Sequence, residues 1–162
     1  MSGAGVHRLG DGKVGKTSTA VSFTVYGFAA GKGSTTAFYS PKQKRTFTHS
    51  PKSTQNWERL VKDVAQQHVS PDGLLDGPLQ MQLRFYLPKP KSAPKTKRTW
   101  PDKKPDLDKL IRAVGDALTG VLYTDDARIV AVTASKDYDV APRVEIVVGP
   151  VGAETSQLAL GE

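Results

Sequence analysis

Five aspartates between positions 106 and 126 hold most of the chemical promise of this 162-residue chain. Asp106 and Asp108 flank a leucine just after Pro105, Asp116 lies further on, and Asp125 and Asp126 stand side by side before an apolar run. Pro105 disfavours helical backbone at Lys104, so a helix is expected to begin at Asp106 or Leu107. Asp106 then takes the cap position and Asp108 the first turn, with both carboxylates near one helix N-terminus. On the exposed side of that helix, Asp108, Arg112 and Asp116 follow one another at i, i+4 spacing. The chain has no cysteine and no histidine near these positions. Converging carboxylates without softer ligands suit a hard cation, magnesium or manganese. Such an ion activates water and offsets charge on a phosphoryl oxygen. Plainer readings compete: an aspartate at a helix start is usually a cap, and Asp-Asp before a strand is usually a turn.

The charge around this cluster favours the metal reading. Residues 1–104 carry 18 basic and 6 acidic side chains, and residues 105–162 carry 5 and 10, for a net charge of +7. That asymmetry suits a polyanion gripped by one region while carboxylates work in the other. Residues 88–105, PKPKSAPKTKRTWPDKKP, hold five prolines, seven basic residues and one acid. They form neither a helix nor a central strand and read as a loop on a single domain. The DNA-contact candidates are Lys89, Lys91, Lys95, Lys97, Arg98, Lys103 and Lys104 in this loop, Lys42, Lys44 and Arg45 upstream, and Lys109 beside the acidic pair. The competing reading is a solvated, Pro-rich linker. Trp100 in the loop either stacks on an unpaired base or anchors the loop to the body, and the sequence leaves both open.

The elements that must position these groups are legible in the hydrophobic pattern. Val21, Phe23 and Val25 alternate with polar residues as a first strand, and YSPKQKRTFTHSPK reads as an irregular or hairpin segment with a basic surface. Trp57, Leu60, Val61, Val64 and His68 fall at helical spacing over roughly 55–68, behind a Ser53 or Thr54 cap, with Trp57 and His68 expected in the core. Leu79, Met81, Leu83, Phe85 and Leu87 line one face of the clearest strand. A second helix carries the stripe Leu107, Leu110, Ile111, Val114, Ala117 and Leu118, closed by Gly120. Strands at ARIVAVTAS and at residues 143–148 complete the order β-α-β-α-β-β. The expected fold is α+β: a mixed sheet of about four strands with two helices on one face. Residues 1–18 read as a flexible basic arm, 19–149 as the domain, and 150–162 as a flexible tail.

Residues 10–17, GDGKVGKT, match the phosphate-binding pattern G-x-x-x-x-G-K-[ST]. A P-loop needs a buried strand before it and a helix after it, and here a β-patterned run follows. No nucleotide cofactor is therefore expected. No stretch approaches the roughly 20 apolar residues of a membrane helix, and the N-terminus lacks an apolar signal core. A cytoplasmic protein is expected.

The run KKPDLDKLIRAVGDALTGVLYTDDARIVAVTASKDY, with PRVEIVV after it, resembles the RusA-type Holliday-junction resolvases. Upstream, TVYGFAAGKG resembles the family's first strand and glycine/lysine turn, and FYLPKPKSAPKTKRTW its strand and Pro/Lys loop. The resemblance runs from Val21 to Val148. It implies a homodimeric, Mg2+-dependent endodeoxyribonuclease, with Mn2+ as a substitute, that nicks opposed strands of a four-way DNA junction. It implies that Asp106, Asp108 and Asp126 are the catalytic metal ligands, with Asp125 beside them and Asp116 in support. Lys109 stands where the family has asparagine, Arg128 where it has glutamine, and Arg112 where a catalytic lysine is common. Arg112 keeps the positive charge but not the geometry of lysine. Two other readings are a nuclease acting more broadly on flaps or forks and a junction-binding protein that does not cut.

Overall fold

In a computed structural model of the chain, residues 19–33, 36–40, 45–49 and 52–153 are described. The expected arm over 1–18 with its glycine-lysine motif, Lys42, Lys44, and the tail beyond residue 153 lie outside them. The described elements run β1 (Val21–Tyr26), β2 (Thr36–Ser40), β3 (Arg45–His49), α1 (Lys52–Gln66), β4 (Leu79–Pro88), α2 (Leu107–Leu118), β5 (Ile129–Asp139) and β6 (Arg143–Pro150). Strands β2 and β3 form an antiparallel hairpin, which is where Arg45 sits. The other four make one mixed sheet in the order β1-β6-β4-β5, with β4 and β5 parallel and the remaining pairs antiparallel. The fold is α+β.

Period-two alternation decides which sheet face is covered. Leu79, Met81, Leu83, Phe85 and Leu87 of β4 are buried, as are Phe23 and Val25 of β1 and Val144, Ile146 and Val148 of β6. All of them except Leu87 pack with Trp57, Val61 and Ala65 of α1 and with Leu110, Ala113, Val114, Ala117 and Leu118 of α2. The other face of β4 carries Gln80, Gln82, Arg84 and Tyr86, which are half-buried.

A parallel pair cannot be joined by a tight turn, so the chain must cross back from the end of β4 to the start of β5. The Pro/Lys loop and α2 are that crossover. They put the N-terminus of α2 by the end where β4 finishes, and the segment after α2 by the end where β5 begins. Tyr123 in that returning segment is fully buried, and its hydroxyl donates to the Gly115 carbonyl at 2.9 Å. Gly120, at φ +78°, adopts the left-handed conformation that closes the helix.

Three details differ from the sequence expectations. Helix α1 starts at Lys52, so Thr54 lies inside its first turn rather than capping it. Its hydroxyl is buried and donates to the Gly31 carbonyl at 3.0 Å, in the turn after β1. His68 lies beyond the end of α1 and is exposed, with its ring stacked on Phe23 at 5.1 Å, so it is not a core residue. Strand β5 continues past Ser135 to Asp139 because its parallel partner β4 runs on to Pro88. Among the described residues no helix is long and apolar enough to cross a membrane.

Candidate active site

Asp106 occupies the N-cap position of α2 in extended backbone, yet its side chain makes no cap hydrogen bond. It turns instead to Lys109, whose Nζ lies 2.8 Å from Asp106 Oδ2. The Lys109 hydrogen bond, with Lys104 and Lys136 adding to it, holds the Asp106 carboxyl below the usual carboxylate range. Asp106 in turn raises the Lys109 ammonium. Asp108 and Arg112 are exposed on α2, one turn apart. An open groove of about 350 Å3 runs beside Asp106, lined by Gly31, Gly33, Lys104, Pro105 and Lys109.

Two supports set the position of this helix start. From β5, Lys136 Nζ donates to the Lys103 carbonyl at 2.8 Å and the Pro105 carbonyl at 3.0 Å, fastening the loop immediately before Asp106. From the turn after β1, the Lys32 amide donates to the Lys109 carbonyl at 3.0 Å. A Cβ placed on Gly31 would meet Lys109 Cβ at 2.9 Å, so the turn lies directly on α2. The Lys32 side chain then bonds Asp116 and reaches Glu58 of α1 at 3.4 Å. The Asp116 hydrogen bond raises the Lys32 ammonium against the cost of its burial. In the sequence Lys32 is marked only by the glycine/lysine turn, because its partner lies 84 residues away.

Asp125 and Asp126 sit at the other end of α2. Asp125 caps the single 3-10 turn Asp126–Arg128, its Oδ1 accepting the Ala127 amide at 2.8 Å. Burial, opposed by a bond to Thr119 and reinforced by Asp126 and Asp116, pushes the Tyr123 hydroxyl well above its ordinary range. Asp116 and Asp126 therefore both bear on Tyr123, while Asp106 is fastened beside Lys136. Lys136 lies seven residues along β5 from Ile129, a span of about 23 Å for an extended strand. Asp106 thus follows the loop that Lys136 fastens, while Asp126 belongs to the segment that leads into β5. Among the described residues no three histidine or acidic side chains form a group that could hold a metal ion.

The Pro/Lys loop is folded against β5. Arg98 pairs with Asp137 at 2.7 Å and lies 4.2 Å above the Trp100 ring, while Pro101 is buried. Lys89 bonds the Lys97 carbonyl at 3.3 Å. Lys89, Lys91, Lys95, Lys97, Lys103 and Lys104 are exposed, as a surface meeting phosphates requires. Arg128 is turned away from the acidic residues of its own turn, bonding Thr124 at 2.9 Å and pairing with Asp76.

Comparison with known proteins gives this geometry a context. The family model described as Endodeoxyribonuclease RusA matches residues 33–149. The chain is also 32% identical over 142 residues to the uncharacterized protein YqaN of Bacillus subtilis (strain 168), covering 82% of this chain and 98% of that protein.

Proposed function

Because the chain belongs to the RusA endodeoxyribonuclease family, we propose that it hydrolyses phosphodiester bonds of branched DNA, the four-way junction first, as a Mg2+-dependent homodimer. The observation that carries this reading is the Asp106–Asp108 pair at the start of α2, beside an open groove and next to a loop of exposed lysines. Asp106, Asp108 and Asp126 are the proposed ligands, with Asp125 adjacent and Mn2+ as a substitute. Their donors are all carboxylate oxygens, the ligand type of a hard cation, though among the described residues no three of them are grouped within one chain. When bound, the cation supplies activation of water and charge neutralisation at the scissile phosphate.

The chain's own residues do the rest. Lys103, Lys104 and the lysines of the loop bind the DNA backbone, a grip that carries no sequence information. Arg112, one turn from Asp108, offsets charge on the phosphate. Lys136 and the turn at Lys32 fix the helix start, so Asp106 is oriented before DNA arrives. Asp106, Asp108 and Asp126 form no group of three within one chain among the described residues, and a second copy of the chain would supply the missing carboxylate. A two-fold protein also matches a two-fold junction.

The test is cleavage of a labelled four-way junction against a matched linear duplex, with Mg2+ or with EDTA. Paired nicks on the junction, lost in EDTA, are expected. Equal cutting of flaps and forks would widen the substrate class, and binding without product under any divalent metal would overturn the nuclease reading.

A further inference from the structure

The Pro/Lys loop holds a large aromatic side chain in the open. Trp100 is 61% exposed, whereas the other tryptophan, Trp57, is 3% exposed in the core. The exposed ring is not on a loose segment. Pro101 is buried, and the Asp102 amide donates to the Trp100 carbonyl at 2.9 Å. Arg98 covers one face of the ring at 4.2 Å and is itself tied to Asp137 of β5 at 2.7 Å. An anchored backbone thus presents a largely exposed indole with a guanidinium over one of its faces.

The ring borders a cleft of about 400 Å3, within the size range of ligand clefts. It is lined by Arg84, Tyr86, Ser135 and Lys136 together with Arg98 and Asp137, and Arg143 stacks on Tyr86 at 3.8 Å. Arg84, Tyr86 and Ser135 belong to the sheet face opposite the helices. Lys136 links the cleft to the acidic site, since its Nζ bonds the carbonyl just before Asp106.

Resting on the DNA-cleaving reading, we infer that this cleft receives one unpaired nucleobase of the substrate, stacked on the Trp100 ring. Aromatic and guanidinium planes hold any base by its π-face without regard to sequence. Bases inside a duplex are already stacked, and extruding one costs free energy that an opened or unpaired base has already spent. The neighbouring phosphates meet Lys91, Lys95 and Lys97, all exposed on the same loop. Phosphate contacts alone do not separate branched from linear DNA; a base-holding cleft does.

Trp57 is shielded, so a change of tryptophan emission on DNA binding reports Trp100. The experiment titrates the full chain in EDTA with a short oligothymidylate and with a fully paired linear duplex. The single strand is expected to quench the emission and the duplex to leave it largely unchanged. Trp100→Phe abolishes the quench, and Trp100→Ala weakens single-strand binding about tenfold while duplex binding stays unchanged. Residual Trp57 emission verifies that each variant is folded. Equal quenching by the duplex, or single-strand binding by Trp100→Ala as tight as wild type, overturns the inference. Junction cutting is scored separately. A chain that cuts no DNA but shows the selective quench keeps the cleft and loses the nuclease reading; normal cutting by Trp100→Ala with no quench in the wild type does the reverse.

Discussion

Lys109 Nζ stands 2.8 Å from Asp106 Oδ2 across the first turn of α2. An ammonium therefore occupies one flank of a proposed metal ligand, at a position where the resembling family carries asparagine. The pair keeps Asp106 ionised and balances its charge while no DNA is bound.

Lys109→Asn removes that competitor. The Asp106 carboxyl should titrate higher, toward its ordinary range, in a carbon-detected NMR titration. Mn2+ should bind about two- to fivefold more tightly by calorimetry, which is the size of an exposed ion pair. Unchanged metal affinity would show that the ammonium does not compete.

Lys136→Met deletes the two hydrogen bonds that fasten Lys103 and Pro105 to β5. The expected loss is about 1–2 kcal/mol of stability, with faster amide exchange over residues 103–108. Turnover on DNA should fall more than binding, because the loop's lysines remain while Asp106 loses its fixed position.

Gly31 and Gly33 make a matched pair in the turn that carries Lys32. A Cβ at Gly31 collides with Lys109, whereas a Cβ at Gly33 meets nothing within 4 Å. Gly31→Ala should cost about 1–3 kcal/mol in denaturant unfolding through overpacking against α2, and Gly33→Ala should be near neutral. Equal effects would mean that the turn does not bear on the helix as described.

At the β5–β6 turn, the Arg143 hydrogen bond and then the Val140 amide lower the Asp139 carboxyl. A depressed folded value contributes stability above the unfolded carboxylate range that is lost as pH falls through the folded value. Asp139→Asn should therefore flatten the acid side of the stability–pH curve. The pair is about one-third exposed on the Asp139 side, so the effect stays below about 1 kcal/mol.

Short-range pattern was legible and long-range pairing was not. The stripe from Leu107 to Leu118 and the alternation from Leu79 to Leu87 are local periods, and the structure buries the positions they mark, Leu107 and Ile111 only in part. His68 continued the helical spacing of Trp57 and Val61, but the helix stops at Gln66, so a matching period placed it wrongly. The grip of Lys32 on Asp116 and of Lys136 on Pro105 joins residues far apart in sequence, with nothing local to announce either. That the loop before Asp106 and the segment carrying Asp126 are joined by a crossover between parallel strands follows from the pairing of β4 with β5, which the nineteen intervening residues cannot disclose.

The most direct test of the central claim is a paired measurement on Asp108→Asn: junction cleavage with Mg2+, and junction affinity in the same buffer. The account predicts cleavage reduced by at least about a thousandfold, as removal of a metal-binding carboxylate should do, with affinity within a few-fold of wild type. Undiminished cleavage by that variant would contradict it.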